Sequence, residues 1–153
     1  MFNIIIPIFN EEENLDELIK KLKNVTENNN LIENIIFINN GSSDNSFDII
    51  KNNSTKFNKI KYISLVKNCG HQNALFIGIE KTKNNGCIFL DGDLQHPPEL
   101  ISKLIDQYKL GFQIVSTTKN VEKDERLWKR IGSNLYYKLI KYLSKAKKER
   151  NSS

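Results

Sequence analysis

Two aspartates separated by a glycine are the clearest chemical feature of this sequence. Asp91, Gly92 and Asp93 follow the apolar run 87–90 and precede Gln95, two prolines and an amphipathic segment. In an extended backbone, alternate residues share a face at a spacing of about 6.5 Å, so both carboxylates could meet one cation, with Gln95 as a third ligand. Such oxygen ligands favour Mg²⁺ or Mn²⁺ over zinc. The alternative is that the two carboxylates only solvate a loop and precede a helix.

The elements that must position these residues alternate regularly along the chain. Apolar runs at 2–6, 35–38, 60–66, 87–90 and 112–116 predict β-strands, and several are continuously apolar, as buried parallel strands are. Apolar residues at helical spacing predict helices between them: Leu15, Leu18, Ile19, Leu22 and Val25, then Leu100, Leu104, Ile105 and Tyr108, with Gly111 as a stop signal. The sequence therefore predicts an α/β layered domain with a mainly parallel sheet.

Polar turns follow the first two predicted strands. Pro7 is expected to end the first strand, and Asn10 is expected to cap the helix that follows. In the second turn, Gly41 permits close approach of the backbone to a ligand, and Ser42 or Ser43 could cap the next helix. Either turn taken alone is also explained by an ordinary helix start.

The third predicted strand ends in a further polar turn, 67–75, which includes Asn68, Gly70 and His71. A lone histidine is more often a hydrogen-bonded loop residue than a catalyst. In parallel sheets, however, ligands bind outside the carboxyl ends of the strands, where all these turns would meet. We call the polar segments that directly follow the predicted strands strand exits. There are four of them, one carries two carboxylates, and together they predict a site for a metal-bound diphosphate.

Composition and length limit the possible classes of protein. A chain of 153 residues predicts one domain, and Cys69 and Cys87 predict reduced thiols rather than a disulfide framework. A dinucleotide-dependent oxidoreductase would need a glycine-rich turn after the first strand, and an EF-hand would need glycine where His96 stands. The start has no positively charged region, and no apolar run approaches the roughly 18 residues of a transmembrane helix. We expect a cytoplasmic protein.

The C-terminal segment 126–150 is basic and amphipathic. Its apolar residues recur every four positions, at Leu127, Ile131, Leu135, Leu139 and Leu143. This pattern is typical of a helix that lies in a membrane interface, and it is equally typical of a helix packed on its own domain with a solvated basic face. The concentration of Lys and Arg after Lys119 favours phosphates or anionic lipid as partners.

The order of these motifs resembles a known family. The stretches PIFNEEEN, NNGSSDNS, NCGHQNALFIGIEKT, FLDGDLQHPPEL and KRIGSNLYYKLIKYLS resemble the family 2 glycosyltransferases of GT-A fold, and within them the polyprenyl-phosphate and dolichyl-phosphate sugar transferases. The resemblance implies a Rossmann-like three-layer αβα sandwich, with a nucleotide-sugar-binding core at 1–125 and a basic helix and tail at 126–153. It also implies Mg²⁺ or Mn²⁺, a UDP- or GDP-linked sugar donor, a lipid phosphate acceptor and peripheral contact with the inner face of the membrane, with no nucleic-acid partner.

The resemblance also assigns residues. Asp91, Asp93 and Gln95 would be the metal ligands and the catalytic group. The donor would contact Pro7, Asn10, Glu11, Asn39, Asn40, Gly41, Ser42, Asn68, Gly70, His71, Asp91 and Gly92. The acceptor phosphate would contact Lys119, Arg126, Lys129 and Arg130. The sequence does not determine the sugar, the nucleotide or the oligomeric state.

Three departures from the family pattern affect these expectations. The usual Asp-Asp-Gly-Ser is Asn39-Asn40-Gly41-Ser42 here, and an amide loses the charge, so we expect weaker donor affinity or a different donor. Lys119 stands where relatives commonly have arginine near the reacting phosphates. Relatives also continue for some tens of residues, so the alternative function is a truncated or degenerate domain that binds without turnover.

Overall fold

Four parallel strands alternate with four helices in this computed structural model, which describes residues 1–27, 29–82 and 86–117. The strands are β1 (Phe2–Ile8), β2 (Ile32–Asn39), β3 (Ile60–Ser64) and β4 (Gly86–Phe89). The helices are α1 (Glu12–Glu27), α2 (Ser46–Lys56), α3 (His71–Thr82) and α4 (Leu100–Lys109). The predicted α/β alternation is confirmed, and all of these elements lie in the unit Met1–Val115.

The sheet has the strand order β3-β2-β1-β4, and every pair of neighbours is parallel. The chain adds β2 and then β3 on one side of β1, and it then crosses to the other side of β1 to form β4. Right-handed crossovers therefore put α3 on the opposite face of the sheet from α1 and α2. Because the order reverses between β1 and β4, this is the point at which a sheet of this type forms a ligand-binding crevice.

Alternate residues of β1 enter two separate cores. Ile4, Ile6 and Ile8 pack in the larger cluster, which includes buried residues of α1, α2 and α4. Ile5 points the other way and packs with Ala74 of α3 and two isoleucines of β2. All seven residues of β1 are buried, as expected for a central strand with helices on both faces. The predicted three-layer arrangement is confirmed.

The expectation that Pro7 ends the first strand is wrong, because β1 continues to Ile8 and Pro7 pairs with Ile38. The carbonyl of Ile5 accepts the Leu90 amide at 3.2 Å, so odd-numbered residues of β1 face β4. Pairing with β4 ends at Phe89, before the level of Pro7. The missing N–H of Pro7 therefore faces a gap rather than a ladder position, which is where a strand tolerates proline.

The predicted strand at 112–116 is also wrong. Helix α4 ends at Lys109, and Gly111 has φ +100°, which agrees with its predicted role as a helix stop. Residues 112–116 then form no strand, and Phe112 and Ile114 are exposed. A short apolar run is stable as a strand only beside a hydrogen-bonding neighbour, and no strand in the described ranges pairs with it.

Candidate functional site

A cavity of about 350 Å³ lies at the carboxyl ends of the strands. It opens beside the gap between β1 and β4, where pairing stops short of Pro7. All four strand exits contribute to its wall, as the sequence predicted. The lining residues are Pro7, Ile8, Phe9, Glu11, Asn40, Asn68, Gly70, His71, Asp91, Gly92 and Asp93.

Eight of the predicted donor residues lie in this wall: Pro7, Glu11, Asn40, Asn68, Gly70, His71, Asp91 and Gly92. Four others, Asn10, Asn39, Gly41 and Ser42, are not among the lining residues. Sequence reasoning missed Ile8 and Phe9 as parts of the wall. Phe9 is 45% exposed, and an aromatic residue inside an otherwise polar strand exit was the signal that could have identified it.

The two aspartates reach the cavity from a turn rather than from extended backbone. The chain turns at Gly92 and Asp93, and Leu94 has φ +60°. Oδ1 of Asp93 accepts the backbone N–H of Gln95 at 3.0 Å, which stabilises this turn locally. The predicted extended alternation is therefore wrong, although both carboxylates still line the cavity. Gln95 is not among the lining residues, and its role as a ligand stays a prediction.

Asp91 lies between two histidines. Nε2 of His71 is 3.7 Å from one carboxylate oxygen, and Nδ1 of His96 is 3.5 Å from the other. His71 is the first residue of α3, and His96 follows Asp91 in the same loop. The side chain of Asp91 is 46% exposed, so its oxygens stay accessible from the cavity. The contact of His96 was not foreseen from the sequence.

The carboxylate oxygens of Asp91 and Asp93 are ligands of the type that suits Mg²⁺ or Mn²⁺ better than zinc. Among the described residues, no cluster of three or more His, Cys, Asp or Glu side chains is arranged as a complete metal site. Asp91 and Asp93 offer carboxylate oxygens on one wall, while the remainder of a coordination shell would have to come from a ligand and water. Mg²⁺ and Mn²⁺ sites are commonly built in this way around phosphates, whereas structural zinc sites are closed by protein ligands.

The first and second strand exits hold each other through side-chain contacts. The N–H of Asn10, which has φ +56°, donates to Oγ of Ser42 at 3.1 Å, and Oδ1 of Asn10 accepts the N–H of Ser43 at 2.9 Å. The expectations that Asn10 caps the first helix and that Ser42 or Ser43 caps the second are therefore wrong. These residues connect the two loops and leave the helix starts to others.

The backbone amides at the start of α1 are capped by side chains from the second loop and from the first residue of α2. The N–H of Glu11 donates to Oγ of Ser46 at 2.9 Å, and the N–H of Glu12 donates to Oδ2 of Asp44 at 3.1 Å. In return, Oε2 of Glu12 accepts the N–H of Asn45 at 2.8 Å. This reciprocal arrangement satisfies donors that a helix start leaves free, and it places Glu11 beside the cavity.

The surroundings of Asp44, in the second loop, change its pKa. Burial alone would raise the pKa of Asp44. Hydrogen bonds from the Ser46 hydroxyl and from the N–H groups of Ser46 and Glu12 stabilise the carboxylate and outweigh the burial. The pKa of Asp44 therefore lies below its ordinary value, and its charged form contributes to holding α1 in place.

Asn39 and Asn40 are both buried, at 3% exposure each. Nδ2 of Asn39 donates to Oγ of Ser64 at 2.9 Å, and its Oδ1 accepts the N–H of Ser42 at 3.2 Å. Asn40 lines the cavity and contacts the third loop. Gly41 has φ +73°, and a β-carbon there would lie 2.5 Å from the carbonyl carbon of Lys67, so the glycine admits the third loop rather than a ligand.

The predicted acceptor-phosphate residues, Lys119, Arg126, Lys129 and Arg130, lie outside the described residues, as does the predicted C-terminal helix. Within the ranges that the structure describes, no helix combines the length and apolar character needed to span a bilayer.

Comparison with known proteins identifies what this chain is similar to. The sequence model of the family described as "Glycosyl transferase family 2" matches residues 3–152. An uncharacterized glycosyltransferase, YkcC of Bacillus subtilis, is 32% identical over 91% of this chain and 43% of its own length. The undecaprenyl-phosphate 4-deoxy-4-formamido-L-arabinose transferase of Pseudomonas fluorescens is 33% identical over 82% and 38%, respectively. The bactoprenol glucosyl transferase of Shigella phage SfX is 31% identical over 97% and 49%.

Solved structures give the same fold. The Staphylococcus aureus TarS fragment 1–349 in complex with UDP-GlcNAc superposes with a TM-score of 0.54 at 20% identity, over 71% of this chain and 32% of that protein. This likeness confirms the GT-A fold. The chain spans less than half the length of these curated relatives.

Proposed function

The chain belongs to glycosyl transferase family 2, and from this premise we propose that its cavity binds a nucleotide-sugar donor whose sugar is transferred to a polyprenyl phosphate. The observation that carries the proposal is the meeting of four strand exits around one cavity, with Asp91 and Asp93 in its wall. Relatives named as undecaprenyl-phosphate and bactoprenol transferases support the choice of acceptor. The TarS structure with UDP-GlcNAc supports a UDP-linked donor, and a GDP-linked donor is the second candidate.

Each part of the wall has a proposed role. Phe9 and Glu11, after β1, contact the nucleoside, and Asn68 and His71, after β3, approach the diphosphate. Asp91 and Asp93 would hold Mg²⁺ or Mn²⁺, and when bound this cation would neutralise charge on the departing nucleoside diphosphate. His71 and His96 orient the carboxylate of Asp91 from its two sides.

The reaction is a direct displacement with inversion. An oxygen of the lipid phosphate forms a bond to the anomeric carbon while the bond from that carbon to the diphosphate oxygen breaks. The second ionisation of such a phosphate lies near pKa 6, so the nucleophile is already an anion at neutral pH and needs no strong general base. Lys119, Arg126, Lys129 and Arg130 are the cations proposed to hold the acceptor phosphate, and the same basic segment accounts for the proposed contact with the membrane.

Isothermal titration of the purified chain with UDP-glucose and with GDP-mannose tests the donor site. We expect binding of one donor in the presence of Mn²⁺ and much weaker binding when the metal is chelated. Transfer to polyprenyl phosphate is then measured with the donor that binds. Binding without transfer would favour the alternative, a domain that retains the donor site and lacks turnover. Absence of binding to either donor contradicts the proposal.

A further inference from the structure

We propose that Asn40 is a positioning residue, whose amide fixes the turn 68–70 against the cavity and does not read the donor itself. This inference rests on the proposed function, because the turn forms part of the proposed donor site. It also gives a structural reason for the asparagine that stands where the family usually has aspartate.

The Asn40 amide already makes several contacts within the protein. Nδ2 of Asn40 donates to Oδ1 of Asn68 at 3.1 Å. Oδ1 of Asn40 accepts the backbone N–H of Cys69 at 2.9 Å, and the Cys69 thiol lies 3.3 Å from the same oxygen. The residue is 3% exposed, and its side-chain oxygen and one of its two amide N–H groups are engaged within the protein.

These contacts continue to the start of α3. Oδ1 of Asn68 also accepts the N–H of Gly70 at 2.8 Å, and Gly70 has φ +90°. The next residue is His71, the first residue of α3, whose Nε2 is 3.7 Å from the carboxylate of Asp91. One amide thus connects the second strand exit, through the third, to a side chain beside the proposed metal ligand.

Aspartate at position 40 does not fit this turn. A carboxylate could still accept from Cys69, but its second oxygen would face Oδ1 of Asn68, and two acceptors repel each other. If the Asn68 amide rotated to donate to that carboxylate, the N–H of Gly70 would face an NH₂ group and lose its acceptor. Either arrangement loses one hydrogen bond of the turn.

Position 68 behaves differently. Asn68 uses a single oxygen to accept from both Asn40 and Gly70, and a carboxylate can accept both hydrogen bonds equally well. Asn68 is exposed, so a charge there stays solvated. We therefore expect the two substitutions to differ: Asn68→Asp keeps the turn, whereas Asn40→Asp loosens it.

Amide hydrogen exchange at Cys69 and Gly70 tests the turn without any donor. In Asn40→Asp we expect roughly tenfold faster exchange of the Gly70 amide, as for loss of one hydrogen bond. In Asn68→Asp we expect exchange to stay within twofold or so of the wild type. Unchanged exchange in Asn40→Asp, or equal acceleration in both variants, would overturn the inference.

Donor titration then connects the turn to the site. The matched control is Asn3→Asp, because Asn3 is equally buried at 2%, accepts a hydrogen bond from Asn34, and lies at the opposite end of β1. We expect donor affinity to fall roughly tenfold in Asn40→Asp and to stay unchanged in Asn3→Asp, although both variants are less stable. Tighter donor binding in Asn40→Asp would mean direct contact and would overturn the inference. If the wild type binds no donor, the proposed function fails, and the exchange experiment alone decides whether Asn40 holds the turn.

Discussion

Ile8 fills the space that a side chain at position 92 would need, since a β-carbon built on Gly92 would lie 2.5 Å from Cδ1 of Ile8. The two residues belong to adjacent strand exits, and both line the cavity. The glycine between the two aspartates is therefore matched to the isoleucine beside it.

Gly92→Ala should lower the free energy of unfolding by about 1–3 kcal/mol through overpacking. Ile8→Val removes the methyl group that the new β-carbon would meet, so the double variant Gly92→Ala/Ile8→Val should recover much of the loss. Urea denaturation of the two single variants and the double variant measures this coupling. Additive losses would show that the two side chains do not compete for the same space.

The side chain of Asp93 has two roles: it lines the cavity, and it accepts a hydrogen bond from Gln95 within the turn. Asp93→Asn keeps the oxygen that accepts the Gln95 N–H and removes the charge, whereas Asp93→Ala removes both. We expect both variants to lose metal-dependent donor binding, and Asp93→Asn to retain wild-type stability. Titration with donor and Mn²⁺, together with thermal unfolding, separates the two roles. Unchanged donor affinity in Asp93→Asn would exclude Asp93 from the metal site.

The features that local pattern determines could be predicted from the sequence. The carboxyl ends of parallel strands lie at one edge of the sheet, so the sequence predicts that the motifs around Glu11, Asn40, His71 and Asp91 meet there. The three layers follow from runs that are apolar on both faces. These inferences need no knowledge of which side chains touch.

The contacts between distant residues could not be predicted in the same way. From the sequence, Asn10 and Ser42 are each predicted to cap a helix, and only the folded chain shows that the two residues are hydrogen-bonded to each other. The cap of α1 likewise comes from Asp44, which lies 32 positions along the chain from Glu12. The run 112–116 has the composition of a strand, and pairing, which composition does not encode, decides whether one forms.

Lys59 illustrates a stabilising contact away from the cavity. Its Nζ donates to the carbonyl of Thr26 at 3.1 Å and to the carbonyl of Ile32 at 3.0 Å, which connects the end of α1 to the start of β2. Lys59→Met keeps most of the apolar stem and removes both hydrogen bonds. We expect a loss of about 1–3 kcal/mol in the free energy of unfolding with donor affinity unchanged. A change in donor affinity would mean that this end of the sheet is coupled to the cavity.

Asp44 should make stability depend on acidity. Because the pKa of Asp44 is lowered in the folded chain, its contribution is fully present above the ordinary value of 3.8 and is lost as the pH falls through the folded-state value. We expect Asp44→Asn to be less stable than the wild type at pH 7, and the difference between them to shrink below about pH 4. Urea denaturation from pH 7 to pH 3 measures this, with Asp16→Asn as the control for removing an exposed carboxylate. A difference that stays constant across this range would show that the charge of Asp44 does not hold the two loops together.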